Sequence, residues 1–184
     1  MRRALRVHPD SARGPVVRIE VEILRPRPHE LRLNFEVAGR SEALRIPPPA
    51  RPERTDGLWR GTCFEAFVRA GEGEDYCEFN FSPSGQWAAY GFEGRRTGMT
   101  PLELTAAPQI TFSRTEDGLA LRARLDLTAL PGLPQDRPWR LALAAIIEGA
   151  DGTIAYWALA HAPGKPDFHH PDGFACEVRT PEAA

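Results

Sequence analysis

The chain has 184 residues, of which 42% are hydrophobic and 26% charged, and its formal net charge is −2. That length suits one domain with a sizeable core, and the composition is that of an ordinary soluble globular protein. A charge so near balance gives no electrostatic reason to expect nucleic acid or an anionic membrane as partner. Three cysteines are too few for a secreted disulfide scaffold.

Lysine occurs once, at Lys165, and arginine supplies the rest of the positive charge. We read this as a codon-usage bias, since no cluster suited to acidic ligands stands out. The opening MRRALRVHPDSARG has basic residues without an apolar run behind them, unlike a secretory signal. No window approaches a membrane span, and a cytoplasmic protein is the default expectation. Residues 1–15 are charged and irregular, which predicts a frayed end or an edge strand. Residues 16–184 are expected to form a single domain.

Val17, Ile19, Val21 and Ile23 alternate with Arg18, Glu20 and Glu22, the pattern of a half-buried strand, closed by Pro26 and Pro28. Leu31, Leu33, Phe35 and Val37 repeat the pattern up to Gly39, and Leu44 with Ile46 suggests a short third strand. Pro47-Pro48-Pro49 and Pro52 make a stiff extended connection rather than a domain boundary.

The stretch from Trp59 to Met99 is the densest in aromatic residues. Phe64, Ala66 and Val68 fall on one face of a strand, with Cys63, Glu65 and Phe67 on the other. In the next strand Cys77, Phe79 and Phe81 form one row, and Tyr76, Glu78, Asn80 and Ser82 the other. Gly71 to Asp75 reads as the hairpin loop between them, and Pro83-Ser84-Gly85 as a tight turn into a strand from Gln86 to Phe92. Later strands are expected at Ile110–Phe112, Leu119–Leu127, Leu141–Glu148, Thr153–Ala160 and Ala175–Val178. Asp117-Gly118 and Asp151-Gly152 serve as hairpin turns. A single helical turn fits Asp126 to Leu130, stopped by Pro131-Gly132. No segment has an amphipathic helical pattern of about ten residues or more. About ten short strands with regular turns predict an all-β, antiparallel sandwich of jelly-roll or immunoglobulin-like type.

Several segments resemble the DOMON-like domains, the superfamily that includes the family-nine carbohydrate-binding modules, and in particular a bacterial DOMON-like group. The carrying residues are Leu58-Trp59, Cys63 to Val68, and Tyr76-x-Glu78-Phe79-Asn80-Phe81-Ser82-Pro83-Ser84-Gly85-x-Trp87. Tyr156 to Leu159, Pro166 to His169 and Pro171 to Phe174 add to them. The resemblance implies a β-sandwich of the jelly-roll kind. The superfamily includes sugar binders and haem binders, so fold alone does not choose between them.

Glu65, Glu78 and Asn80 are expected to share the face opposite the phenylalanine rows, with the carboxylates accepting hydrogen bonds from sugar hydroxyls. Trp59 and Trp87 are the candidate stacking surfaces, with Arg95 at the rim and Tyr156 nearby. Trp139 reads as core. The long loop after Tyr156 brings Asp167 and His169 together, and stitching the loop down is the plain role for that pair. The expected function is non-catalytic binding of a saccharide or other small polyhydroxy ligand, with no catalytic or metal residues assigned. One alternative is an enzyme acting on a small polar substrate through Glu65 and Glu78, as in glycoside hydrolysis, or through Asp167 and His169. The other is a haem-binding or protein-interaction domain. No cofactor is expected; haem or a structural metal ion is the alternative, with Met99 the only internal methionine. Oligomeric state is not legible.

Overall fold

The alternation seen in the sequence sets the sheet. In the computed structural model, which describes residues 1–12, 14–71, 73–128, 130 and 132–181, twelve strands form in chain order. They are β1 (Arg2–Val7), β2 (Val16–Arg27), β3 (Glu30–Gly39), β4 (Cys63–Ala70), β5 (Tyr76–Phe81), β6 (Trp87–Phe92), β7 (Thr100–Pro101), β8 (Gln109–Thr115), β9 (Gly118–Asp126), β10 (Trp139–Glu148), β11 (Ile154–Ala158) and β12 (Cys176–Val178). Only three short 3-10 turns join them among the described residues: Ser41–Ala43, Leu58–Arg60 and Pro171–Gly173.

All strand pairs are antiparallel, and the spatial order is β7-β6-β5-β4-β10-β11-β1-β2-β3-β9-β8, with β12 added beside β10. The sheet curls so that its two halves face each other. On one half Ile19, Val21 and Ile23 of β2 stand opposite Val37, Phe35 and Leu33 of β3, and Phe35 stands opposite Leu121 of β9. On the other, Phe64 and Ala66 of β4 stand opposite Phe81 and Phe79 of β5. The halves meet in one core, where the rings of Phe35 and Phe64 lie 5.0 Å apart. Burial of such side chains is the main stabilising term, at about 1.5–3 kcal/mol each.

Within residues 1–15, where a frayed end or edge strand was expected, Arg2–Val7 form an internal strand. Arg2 to Leu5 pair with β2, while Arg6 and Val7 pair with β11, so β1 carries the sheet from one half to the other. Only Leu5 of β1 is buried, which is why no alternation marks it in the sequence. A register shift between Val16 and Arg18 turns Val17 out to solvent and Val16 into the core, against the expected phase. Leu44 and Ile46 do not form a strand; a 3-10 turn precedes them, and Leu44 makes one isolated bridge to Gly149. Strand β7 has no counterpart in the sequence reading. The helical turn at Asp126–Leu130 and its stop at Pro131 involve residues outside those described, as does Glu72 of the β4–β5 loop.

Two positions yield tests. A Cβ at Gly118 would lie 2.1 Å from the Val37 carbonyl oxygen, so the β8–β9 turn needs glycine to approach β3. Gly118→Ala should cost about 1–3 kcal/mol, measured by urea denaturation. Gly14→Ala, with no atom within 4 Å, should be near neutral. Cys63 and Cys77 face opposite sides of neighbouring strands, and Cys176 is buried elsewhere on β12. All three thiols are therefore expected to titrate as free in denaturant without reductant, and a loss of two would contradict this packing.

Candidate functional site

The outer face of β4, β5 and β6 is built from the residues out of phase with the core. Glu65 stands directly opposite Asn80, which stands opposite Ala88; Phe67 stands opposite Glu78, which stands opposite Tyr90. Glu65 and Glu78 are therefore diagonal neighbours across one strand pair, at a spacing of roughly 7–8 Å between their backbones. Around them Ala142 and Ala144 of β10, Ala158 of β11 and Ala88 of β6 present only methyl groups. These short side chains leave room above the carboxylates.

Two segments enclose that room. The proline-rich connection runs beside the β5–β6 turn, with Ala50 N–H donating to the Ser84 carbonyl and Thr55 N–H to the Trp87 carbonyl. It delivers Asp56, which accepts a 2.6 Å hydrogen bond from the Tyr90 hydroxyl, and then Trp59, whose ring meets the Tyr90 ring edge-on at 6.0 Å. From the other side comes the loop of residues 159–175. Its Asp167 carboxylate takes a forked pair of hydrogen bonds from Arg95 and another from Arg96. Arg96 holds a left-handed backbone (φ 57), a conformation that costs a non-glycine residue about 1–3 kcal/mol. The Asp167 clamp and the bond from Arg96 N–H to the Tyr76 hydroxyl (3.3 Å) hold it there.

Tyr76 links this segment to the loop: its oxygen accepts from Arg96 N–H, and its hydroxyl shares a 2.7 Å hydrogen bond with His169 Nδ1. His169 Nε2 lies 3.8 Å from Glu78 Oε2. The imidazole is wedged edge-on against Phe67 and Phe92, each at 5.1 Å between ring centroids. Burial, with Arg96 nearby, lowers its pKa to about 4, so it is neutral at pH 7.

The carboxylates share the expected face but are almost sealed: Glu65 is 3% exposed, Glu78 6% and Asn80 0%. The loop that covers them supplies the reason. Asn80 donates to Glu78 Oε1 at 2.6 Å and accepts from the Cys63 thiol. Burial raises the pKa of Glu65 well above the carboxylate range, and the nearby Glu78 raises it further. Burial also raises Glu78, against the opposing effect of the Asn80 hydrogen bond and Arg96. For Asp167 burial pulls upward, but the hydrogen bonds from Arg95 and Arg96 outweigh it and its pKa is lowered.

The result is a cleft of about 430 Å³ lined by Trp59, Glu65, Glu78, Tyr90, Phe92, Arg96, Met99, Ile146, Tyr156, Pro166, Phe168 and His169. Of the residues singled out in the sequence, Trp59, Glu65, Glu78, Tyr156 and His169 converge here. Asn80 lies beneath, holding Glu78. Arg95 stands outside, spent on Asp167. Trp87 is placed elsewhere: it stands opposite Phe81, on the core side of β6, and is 9% exposed. Trp139 is core, as expected, with Arg25 stacked 3.4 Å over its ring. Asp167 and His169 are not an acid–base dyad, because the carboxylate meets the backbone N–H of His169 and not its ring. Tyr90 and Phe92 were missed, although the phase of β6 places both in the Glu78 row. Ile146 was hidden by the alternate row of β10, whose apolar residues signalled burial on both faces.

No protein-family model matches the chain, and no curated protein matches it by sequence. Solved structures match by fold. A candidate carbohydrate-binding protein from Bacteroides uniformis ATCC 8492 superposes with a TM-score of 0.69 at 15% identity, over 94% of this chain and 83% of that one. A family 9 carbohydrate-binding module from Caldicellulosiruptor kristjanssonii matches in its cellotriose complex (TM-score 0.59, 10% identity, 89% of this chain and 74% of that one). It matches also in its glucose complex (0.60, 10%, 95% and 81%). The chain thus shares the antiparallel β fold of these proteins.

The buried acids carry a pH signature. A carboxyl with a raised folded pKa stabilises fully below its unfolded value, about 4.3, and loses that contribution as pH rises through the folded value. Glu65→Gln removes the loss. Its melting temperature relative to the parent should therefore climb between pH 5 and pH 8, by roughly 2–4 °C per kcal/mol relieved. A constant difference across that range would show that Glu65 is not held protonated by burial. His169 has the opposite sign: its lowered pKa costs stability as pH falls from about 6.5 towards 4.

Proposed function

We propose that this chain is a non-catalytic binding module for a saccharide or similar small polyhydroxy compound, held in the cleft over Glu65 and Glu78. The carrying observation is the combination in one cleft of a half-exposed indole, Trp59, with two sunken carboxyl groups. A flat ring offers the C–H face of a sugar a stacking surface, and the carboxyls fix hydroxyl positions by accepting hydrogen bonds. Two further facts support the reading: the fold shared with carbohydrate-binding modules, and the resemblance to DOMON-like domains. Tyr156 and Phe168, whose rings meet edge-on at 6.1 Å, supply more aromatic surface.

An enzymatic second reading has one observation in its favour. Glu65 is pushed towards the protonated form, as a general acid requires. Release of free sugar from an oligosaccharide by the parent protein, and its loss in Glu65→Gln, would establish it over simple binding.

For the binding reading the test is Trp59→Ala against a panel of mono- and disaccharides by titration calorimetry. The ring is at the cleft mouth and only partly packed, so the melting temperature should hold within a few degrees. Affinity should fall about tenfold or more, since a stacked aromatic contact carries on the order of 1–3 kcal/mol. Unchanged affinity in the variant, or no sugar bound by the parent, would remove the assignment.

A further inference from the structure

Within the cleft, Glu65 is unusual. It is buried and lines the open volume, yet its carboxyl has no hydrogen-bond partner among the described residues, whereas Glu78 is held by Asn80. The charges around it do not close either. Three carboxyl groups, Glu65, Glu78 and Asp167, face two guanidiniums, Arg95 and Arg96, and both guanidiniums are directed at Asp167. His169 adds no charge, because burial keeps it neutral. Tyr90 donates its hydroxyl away from the cleft, to Asp56, which Arg54 already balances. One negative charge is left over, and in the bare cleft a proton held by the glutamate pair answers it.

We propose that the saccharide bound here carries a free primary amine, whose ammonium group sits between Glu65 and Glu78 and takes the place of that proton. The proposal rests on the saccharide reading above and narrows it to amino sugars. A neutral hydroxyl would give Glu65 a hydrogen bond but leave the charge unanswered, while an ammonium supplies both, with three donors for the carboxyl oxygens. The surrounding rings add to it, since Trp59, Tyr90 and Tyr156 present the aromatic surface that attracts a desolvated cation. An ammonium suits the cleft better than a divalent metal: no group of three or more metal-ligating side chains converges among the described residues.

The test is calorimetric titration at pH 6.5 with D-glucosamine and D-galactosamine, each beside its parent hexose and its N-acetyl form, which keeps the bulk and removes the charge. At least one amino sugar should bind about tenfold or more tighter than both of its neutral counterparts. In Glu65→Gln, nearly the same shape without the charge, the amino sugar should lose far more affinity than its two neutral counterparts, so that the preference vanishes. A parent hexose binding as well as its amino form would overturn the amine while leaving the saccharide reading intact. Absence of binding by every sugar would overturn both. Binding of 2-aminoethanol as tight as that of the amino sugars would also overturn the proposal, by showing a cation site with no sugar recognition.

Discussion

The Asp167 carboxylate, clamped between Arg95 and Arg96, is the contact on which the rest of the site depends. It ties the long loop after β11 to the connection between β6 and β7, two segments that share no backbone–backbone hydrogen bond among the described residues. An exposed ion pair is worth only about 0.2–1 kcal/mol. This one lies at the upper end, because two planar guanidiniums grip one partly shielded carboxylate by paired hydrogen bonds. The clamp sets Arg96 so that its N–H reaches Tyr76, and it sets the loop so that His169 reaches the same hydroxyl. His169 then closes over Phe67 and Glu78. The clamp thus helps to hold the cover over the carboxylates of β4 and β5.

Sealing them is unfavourable in the bare protein. Two acids on adjacent strands, out of water, repel each other and lose hydration, and a buried polar group without a partner costs about 1–3 kcal/mol. A purely structural face would place apolar residues at these positions, as the neighbouring rows do at Ala142, Ala144, Ala88 and Phe67. The large shared core between the halves of the sheet, centred on Phe35, Phe64, Phe79 and Phe81, supplies the stability that tolerates the defect. Strain at Arg96 and repulsion at Glu65 both border the cleft, the pattern expected where stability has been given up for binding.

Much of this was legible because strand phase is robust. A period of two correctly placed Glu65, Glu78 and Asn80 on one face and the phenylalanine rows on the other. What the period cannot report is what covers a face. The lid joins Tyr76 to His169 across 93 positions, and no local pattern announces such a contact. Trp87 shows the converse: its position after a tight turn suggested a rim, but the register Phe81↔Trp87 turns it inward, and the strand's own phase was the better guide. The strand β1 was illegible for a third reason. It is paired on both sides yet nearly all its side chains are exposed, so hydrogen bonding defines it and hydrophobicity does not.

The cleft itself is a consequence of small residues meeting large ones. Alanines at 88, 142, 144 and 158 keep the sheet surface low around the two glutamates, while Trp59, Phe168 and His169 arrive from connecting segments and stand above it. A larger apolar side chain at any of these buried alanine positions would crowd the side chains packed over the sheet. The sheet is settled by the phenylalanine rows on its inner face, so its outer face is free to be underpacked. That freedom lets a common antiparallel scaffold hold two acids within a hydrophobic wall.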